Sequence, residues 1–198
     1  MSVMRWLAFL LLLLAGPIAA QEAPPVAKPA TVRVALATEL GSVVLELEKE
    51  RAPVTTANFL RYVAARRFDG IAFYRAVTVA PGFGLVQAGL RDPAKWYKPI
   101  PHEPTTQTGL THADGTISMA RAAPGTATAD WFIMIGASPG MDASAADPGF
   151  AAFGRVVEGM EIVRKIQQAP TDPTQGEGVM KGQMIAKPVK ILTARVVE

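Results

Sequence analysis

The chain has no cysteine in its 198 residues. That excludes disulfides, thiol nucleophiles and thiolate metal ligands. It has only two histidines, His102 and His112, so a histidine-based metal site or a Ser-His-Asp machine is not expected. No glycine-rich phosphate loop of the Walker or dinucleotide type occurs. Neither sign of charge dominates: 20 Lys+Arg against 17 Asp+Glu give +3, which argues against a dedicated nucleic-acid binder. No internal repeat is evident. No cofactor and no metal are therefore expected.

Long apolar runs are also scarce, and the clearest one stands at the start. MSVMRWLAFLLLLLAGPIAAQE carries one positive charge, Arg5, an apolar run from Trp6 to Ala15, and small residues at Ala19-Ala20. This pattern reads as a secretory signal peptide over residues 1–20, cleaved after Ala20. The run falls short of the roughly 20 residues of a comfortable membrane span, and an uncleaved anchor is the competing reading. With no cysteine after it, a lipid-anchored form is excluded. Losing Arg5 would leave the chain near neutrality. A periplasmic protein with no membrane contact after cleavage follows as an expectation. Residues 21–30 are rich in Pro and Ala and read as a flexible tether, leaving 31–198 as one domain.

Within that domain, short alternating segments dominate. Val32, Val34 and Leu36, then Val43, Leu45 and Leu47, suggest a hairpin turning at Glu39-Leu40-Gly41. A helix is predicted from Arg51-Ala52-Pro53, with Ala57, Leu60, Val63 and Ala64 as its apolar stripe, widened by Phe59. Asn58 is assigned a buried hydrogen bond. Further strands are predicted at 73–77, 85–87, 116–120, 131–135, 150–156 and 189–197. A second helix is predicted over 160–168, with Met160, Val163 and Ile166 inward. Prolines 93, 99, 101 and 104 make 91–110 an irregular surface excursion, pinned by Trp96 and Tyr97. His102 and His112 read as surface or loop residues. About eight short strands and two helices suggest a barrel or a sandwich, and pattern alone does not choose between them.

The most informative stretch is Phe68–Gly89, FDGIAFYRAVTVAPGFGLVQAG. Alternation along 73–77 would put Phe73, Arg75 and Val77 on one face and Tyr74 and Ala76 on the other. A guanidinium among apolar neighbours needs a partner or a site. Arg75 is either a structural arginine satisfied by an acid such as Asp69 or Asp114, or a fixed donor aimed at a ligand.

Phe73-x-Arg75, Pro81-Gly82-Phe83 and Gln87-Ala88-Gly89 resemble the cyclophilin pattern F-H-R-V-I-P-G-F-x-x-Q-G-G. Three more blocks follow the family's order: APVTTANFLRYV (52–63), GTISMARA (115–122) and FGRVVEGMEIV (153–163). The resemblance covers nearly everything after residue 31. It implies a closed eight-stranded antiparallel β-barrel capped by two α-helices, mainly β in class. It implies a cofactor-free peptidyl-prolyl cis–trans isomerase acting as a monomer on proline-containing unfolded or flexible polypeptides. A non-catalytic proline-segment-binding chaperone or scaffold with the same fold is the alternative.

Carried over residue by residue, the resemblance makes Arg75 the catalytic arginine. Phe83, Leu85, Phe132 and Met141 become walls of a proline pocket, and Gln87 a donor to a substrate carbonyl. The backbone of Ala120-Arg121-Ala122 becomes an edge that pairs with the peptide. Several positions depart from the family. Tyr74 replaces a histidine, Arg121 an asparagine, Asp130 a pocket glutamine, Gly140 a wall tryptophan and Phe150 a closing histidine. Asp130 would either orient Arg75 or neutralise it. The segment from Arg75 to Gln87 is longer than in the family, and a groove blocked by Thr78–Ala80 is a third reading.

Overall fold

The computed structural model describes residues 30–198. The signal peptide (1–20) and nearly all of the tether (21–30) lie outside the described residues. No helix among the described residues is long and apolar enough to cross a membrane.

Strands β1 (Thr31–Thr38) and β2 (Gly41–Glu48) form the expected hairpin, with Val34 opposite Leu45 and Leu36 opposite Val43. Their alternation puts Val34, Leu36, Val43, Leu45 and Leu47 in the core with no exposure. The remaining strands are β3 (Ala72–Ala80), β4 (Phe83–Gly89), β5 (Thr116–Met119), β6 (Trp131–Ile135), β7 (Ala151–Glu158), the two-residue β8 (Thr171–Asp172) and β9 (Met184–Val197). Antiparallel pairing runs β1-β2-β7-β5-β6-β4-β3-β9, and β1 pairs with β9 to close the ring. Eight strands thus form a closed antiparallel barrel, with β8 as a short addition on β9. Closure removes the sheet edges that an open sheet would expose.

Helix α1 (Pro53–Ala64) covers the barrel together with Trp131. Phe59, Phe68 and Phe73 surround that indole at centroid distances of 5.7, 6.2 and 5.4 Å. The buried residues of α1 are Thr55, Thr56, Asn58, Phe59, Tyr62 and Val63, while Ala57 and Ala64 are exposed. The expected stripe was therefore rotated, because the large Phe59 and Tyr62 decide which face packs and the small alanines follow. Truncating Phe59 to Ala would cost about 3–5 kcal/mol. Asn58 does make a buried bond, its Nδ2 donating to the Thr128 carbonyl at 2.7 Å.

The N-terminus of α1 has no side-chain cap of its own. Instead the buried carboxylate of Glu103 accepts the backbone N–H groups of Val54 (3.1 Å) and Thr55 (2.7 Å) and the Thr55 hydroxyl (2.6 Å). An anion at a helix N-terminus meets unpaired donors and the positive end of the dipole. This bond ties the excursion 91–110 to the barrel. That excursion contains a 3₁₀ turn (Pro93–Lys95) and the single-turn α2 (Thr105–Thr108). Trp96 and Tyr97 do pin it: the Trp96 indole donates to the Leu90 carbonyl, and the Tyr97 N–H donates to the Tyr62 hydroxyl at 2.8 Å.

Helix α3 (Met160–Gln167) buries Ile162, Val163 and Ile166, with Met160 half-buried. The segment after it holds β8, a 3₁₀ turn (Gly178–Met180) and the first residues of β9.

Candidate active site

Phe73 pairs with Ala88 and Arg75 with Gln87, so Tyr74 is an extra residue on its strand, a β-bulge. A bulge breaks strict alternation and re-aims side chains. Phe73 and Ala76 face the core, while Tyr74 and Arg75 both line one hollow outside the barrel wall. The even alternation expected from the sequence fails at this point.

Arg75 is half-buried, and no carboxylate among the described residues holds it. Its Nε (2.8 Å) and Nη2 (2.6 Å) donate to Oε1 of Gln183, the residue just before β9, and its Nη1 donates to Oε1 of Gln87 at 2.8 Å. Asp69 is taken by Arg195 and Asp114 by Arg164. The structural reading of Arg75 as an ion-paired residue is therefore overturned. Burial pulls its pKa down from the usual arginine value, yet a guanidinium stays charged throughout the working range. Three of its five N–H groups are engaged by the two glutamines, which leaves two to offer.

Gln87 passes the chain on, its Nε2 donating to the Tyr74 hydroxyl at 2.6 Å. The second N–H of its Nε2 has no partner among the described residues. Burial, reinforced by the neighbouring Asp130 charge, pushes the Tyr74 hydroxyl up to about 12. Asp130 is raised to about 6 by burial, against the opposing pull of Arg91 and the Tyr74 hydroxyl. Its Oδ1 is buried with no hydrogen-bond partner, lodged where Gly89 lacks a side chain; a Cβ on Gly89 would sit 1.7 Å from that oxygen. Asp130 forms no ion pair with Arg75 among the described residues.

The hollow has a volume of about 650 Å³, in the range of a small-ligand or peptide site. Leu85, Gln87, Ala120, Arg121, Asp130, Phe132, Met141 and Phe150, all expected at the site, line it with Arg75. Phe132 and Phe150 meet edge to face at 5.5 Å. Gly140, next to Met141, is exposed and is not among the lining residues, and a Cβ there would touch nothing. Arg121 lies over the Phe150 ring at 4.8 Å and donates to the Gly149 carbonyl. Among the described residues no protein group bonds the Arg121 backbone N–H or C=O, so that edge is open to an extended peptide.

Phe83 is the exception. It starts β4 at the tip of the β3–β4 hairpin, packed against Gly136, and is not among the lining residues. The extra residues between Arg75 and Gln87 lengthen both strands, so Phe83 lies roughly 14 Å before Gln87 at about 3.4 Å per residue. Leu85 takes the wall position instead. Thr78–Ala80 belong to the same extended hairpin, turned by Pro81-Gly82, and they are exposed away from the hollow. The blocked-groove reading is overturned with them.

The sequence reading missed Arg91 and Trp96, which the excursion contributes to the lining, as well as Val179, Met180 and Gln183. Arg91 lies over the Tyr74 ring at 4.5 Å. No motif marks these residues; proline density had suggested only a surface loop. His112 sits in a loop, as expected, but it is buried rather than at the surface. Its ring stacks on Phe132 at 6.1 Å between Asp142 (Nδ1, 2.6 Å) and Ser118 (Nε2, 3.0 Å). Burial lowers its pKa against the opposing pull of Asp142, and the ring backs the pocket wall behind Phe132. Ser118 is fully buried, so this Ser-His-Asp array cannot reach a substrate. His102 is at the surface, bonded to the Pro148 carbonyl.

Comparison with known proteins agrees with this geometry. Residues 33–196 match the family model described as cyclophilin type peptidyl-prolyl cis-trans isomerase/CLD. A peptidyl-prolyl cis-trans isomerase of Acinetobacter baylyi is 33% identical over 171 residues, covering 84% of this chain and 86% of that protein. Peptidyl-prolyl cis-trans isomerase A of Dickeya dadantii is 33% identical over 180 residues, covering 88% and 90%. The crystal structure of a Cryptosporidium parvum cyclophilin type isomerase superposes with a TM-score of 0.68 at 20% identity, covering 85% of this chain and 99% of that one. A second structure of that protein was determined in the presence of the dipeptide Ala-Pro. The chain belongs to the cyclophilin-type peptidyl-prolyl cis-trans isomerase family.

Proposed function

We propose that the chain accelerates rotation about X–Pro bonds in exported polypeptides, with Arg75 as its catalytic residue. The amide C–N bond has partial double-bond character and a barrier of roughly 18–20 kcal/mol, while cis and trans X–Pro differ by only about 0.5–1 kcal/mol. The reaction therefore needs no nucleophile. Phe132, Phe150, Met141 and Leu85 hold the proline ring; aromatic and thioether walls suit a small apolar ring. The open edge at Arg121 and the spare Gln87 N–H hold the flanking backbone. Arg75 then donates to the prolyl nitrogen, whose lone pair becomes available only as the bond twists. That interaction is stronger in the transition state than in the ground state, which is the requirement for catalysis.

The observation that carries this reading is the tether of Arg75. Two neutral amides fix its plane and leave its charge uncompensated beside the apolar hollow. A protease-coupled assay on an Ala-Pro peptide tests it: the Arg75→Ala variant should lose about a hundredfold in kcat/KM. Equal rates for variant and wild type would refute the catalytic role and leave the proline-segment binder as the better reading.

The periplasmic destination rests on the leader over residues 1–20: its single Arg5, the apolar run and the small residues before Gln21. A chain lacking cysteine also suits an oxidising compartment. The mature protein, recovered from the periplasmic fraction, should begin at Gln21; an intact N-terminus on a cytoplasmic protein would refute export.

A further inference from the structure

Three arginines line the hollow: Arg75, Arg91 and Arg121, against one carboxylate, Asp130. Elsewhere among the described residues arginines meet carboxylates directly, as in Arg51–Glu48, Arg155–Glu46, Arg164–Asp114 and Arg195–Asp69. None of the three in the hollow has a carboxylate of the described residues within 4.0 Å. Arg91 lies over Tyr74, and its charge opposes that of Asp130. Arg75 spends three donors on glutamines. Arg121 spends one, on the Gly149 carbonyl, and its Nε is buried with no partner. Most of a rigid guanidinium therefore stands beside the proline walls with its charge unmatched.

We infer that Arg121 selects polypeptides carrying an acidic side chain one or two residues before the proline or one residue after it. The inference rests on the reading of this hollow as an X–Pro site and deepens it. Arg121 is anchored over Phe150 by its bond to the Gly149 carbonyl, and that ring in turn meets Phe132 edge to face. Its free donors thus lie within about one or two residues' length, at roughly 3.3–3.6 Å per extended residue, of a proline ring seated there. A planar fork with unused N–H groups pairs best with a planar carboxylate. A basic side chain in the same place would meet two unmatched cations, Arg75 and Arg121, and be rejected.

The test uses the full-length mature protein and Ala-Pro peptides blocked at both ends, so that side chains supply the only carboxylate. Glu, Gln or Lys is placed two before, one before or one after the proline. Exchange rates are read by NMR, which avoids a protease with preferences of its own. At the preferred position wild type should favour Glu over Gln by about fivefold in kcat/KM, with Lys below both, and 1 M salt should narrow the spread. Arg121→Gln should bring the Glu/Gln ratio to about one, and Arg121→Lys should keep part of it. Equal wild-type rates for Glu and Gln at all three positions would overturn the inference while leaving the isomerase reading intact. So would a ratio unchanged in Arg121→Gln. Failure to turn over any of the peptides would overturn both.

Discussion

In a smaller hollow of about 370 Å³ on the barrel, lined among others by Glu46, Glu48, Arg51 and Arg155, each guanidinium meets a carboxylate. Arg51 forms a two-pronged pair with Glu48, and Arg155 bonds Glu46 at 2.8 Å. In the larger hollow the arginines rest on glutamine amides, a backbone carbonyl and aromatic rings. Both sites use the same side chain, but to different ends. A carboxylate satisfies the charge and spends it on holding β2, β7 and the entry to α1 together. An amide or a ring fixes the position of the guanidinium and leaves its charge for something that arrives later.

If that contrast is right, turning the second arrangement into the first should damage chemistry more than structure. Gln183→Glu would place a carboxylate on Nε and Nη2 of Arg75. We expect kcat to fall about thirtyfold with KM little changed, since donation to the prolyl nitrogen occurs only in the transition state. Gln183→Leu, which frees the fork without neutralising it, should raise its disorder and fall between the two. An unchanged kcat in Gln183→Glu would break the comparison.

The converse change belongs to the smaller hollow. Glu48→Gln removes the charge facing Arg51 at a side chain only 11% exposed and should cost about 1–2 kcal/mol in urea unfolding, with isomerase activity unchanged. Asp130→Asn tests the raised carboxylate. The folded-state pKa of Asp130, about 6, lies above its unfolded value, so its contribution to stability is complete below the unfolded pKa. That contribution is lost as pH rises through 6. The Asn variant should therefore be more stable than wild type by about 1–2 kcal/mol at pH 8, after allowance for partial solvent screening, and equal to it near pH 3.5. A constant difference across that range would mean that Asp130 is not the titrating group. The smallest effect is expected at Phe83: Phe83→Ala should change kcat/KM by less than about twofold, because that ring sits at the hairpin tip and not on the wall.

The barrel was legible because its signal is periodic and local. Val34, Leu36, Val43 and Leu45 alternate as a half-buried strand must, and the structure buries all four. The family motifs carried Arg75, Gln87 and Phe132 into one hollow. Two features were not legible. The bulge at Tyr74 leaves no mark in the residue pattern, so the expected pairing of Arg75 with Phe73 and of Tyr74 with Ala76 on common faces failed there. Phe83 was placed by its motif, but a longer hairpin moved the motif outward while pairing register fixed Gln87 opposite Arg75. Gln183 reaches the site from 108 positions away, and Arg91 and Trp96 come from an irregular excursion that no motif marks. Nothing short of the fold brings such residues together.

The most direct test places a saturating Ala-Pro peptide on wild type and on Arg75→Ala and measures prolyl cis–trans exchange in the bound state by NMR. Similar affinities, with bound-state exchange about a hundredfold slower in the variant, would mean that the amide-held guanidinium acts on the twisting bond. Exchange equally fast in both proteins would mean that the hollow alone does the work and that Arg75 is a bystander.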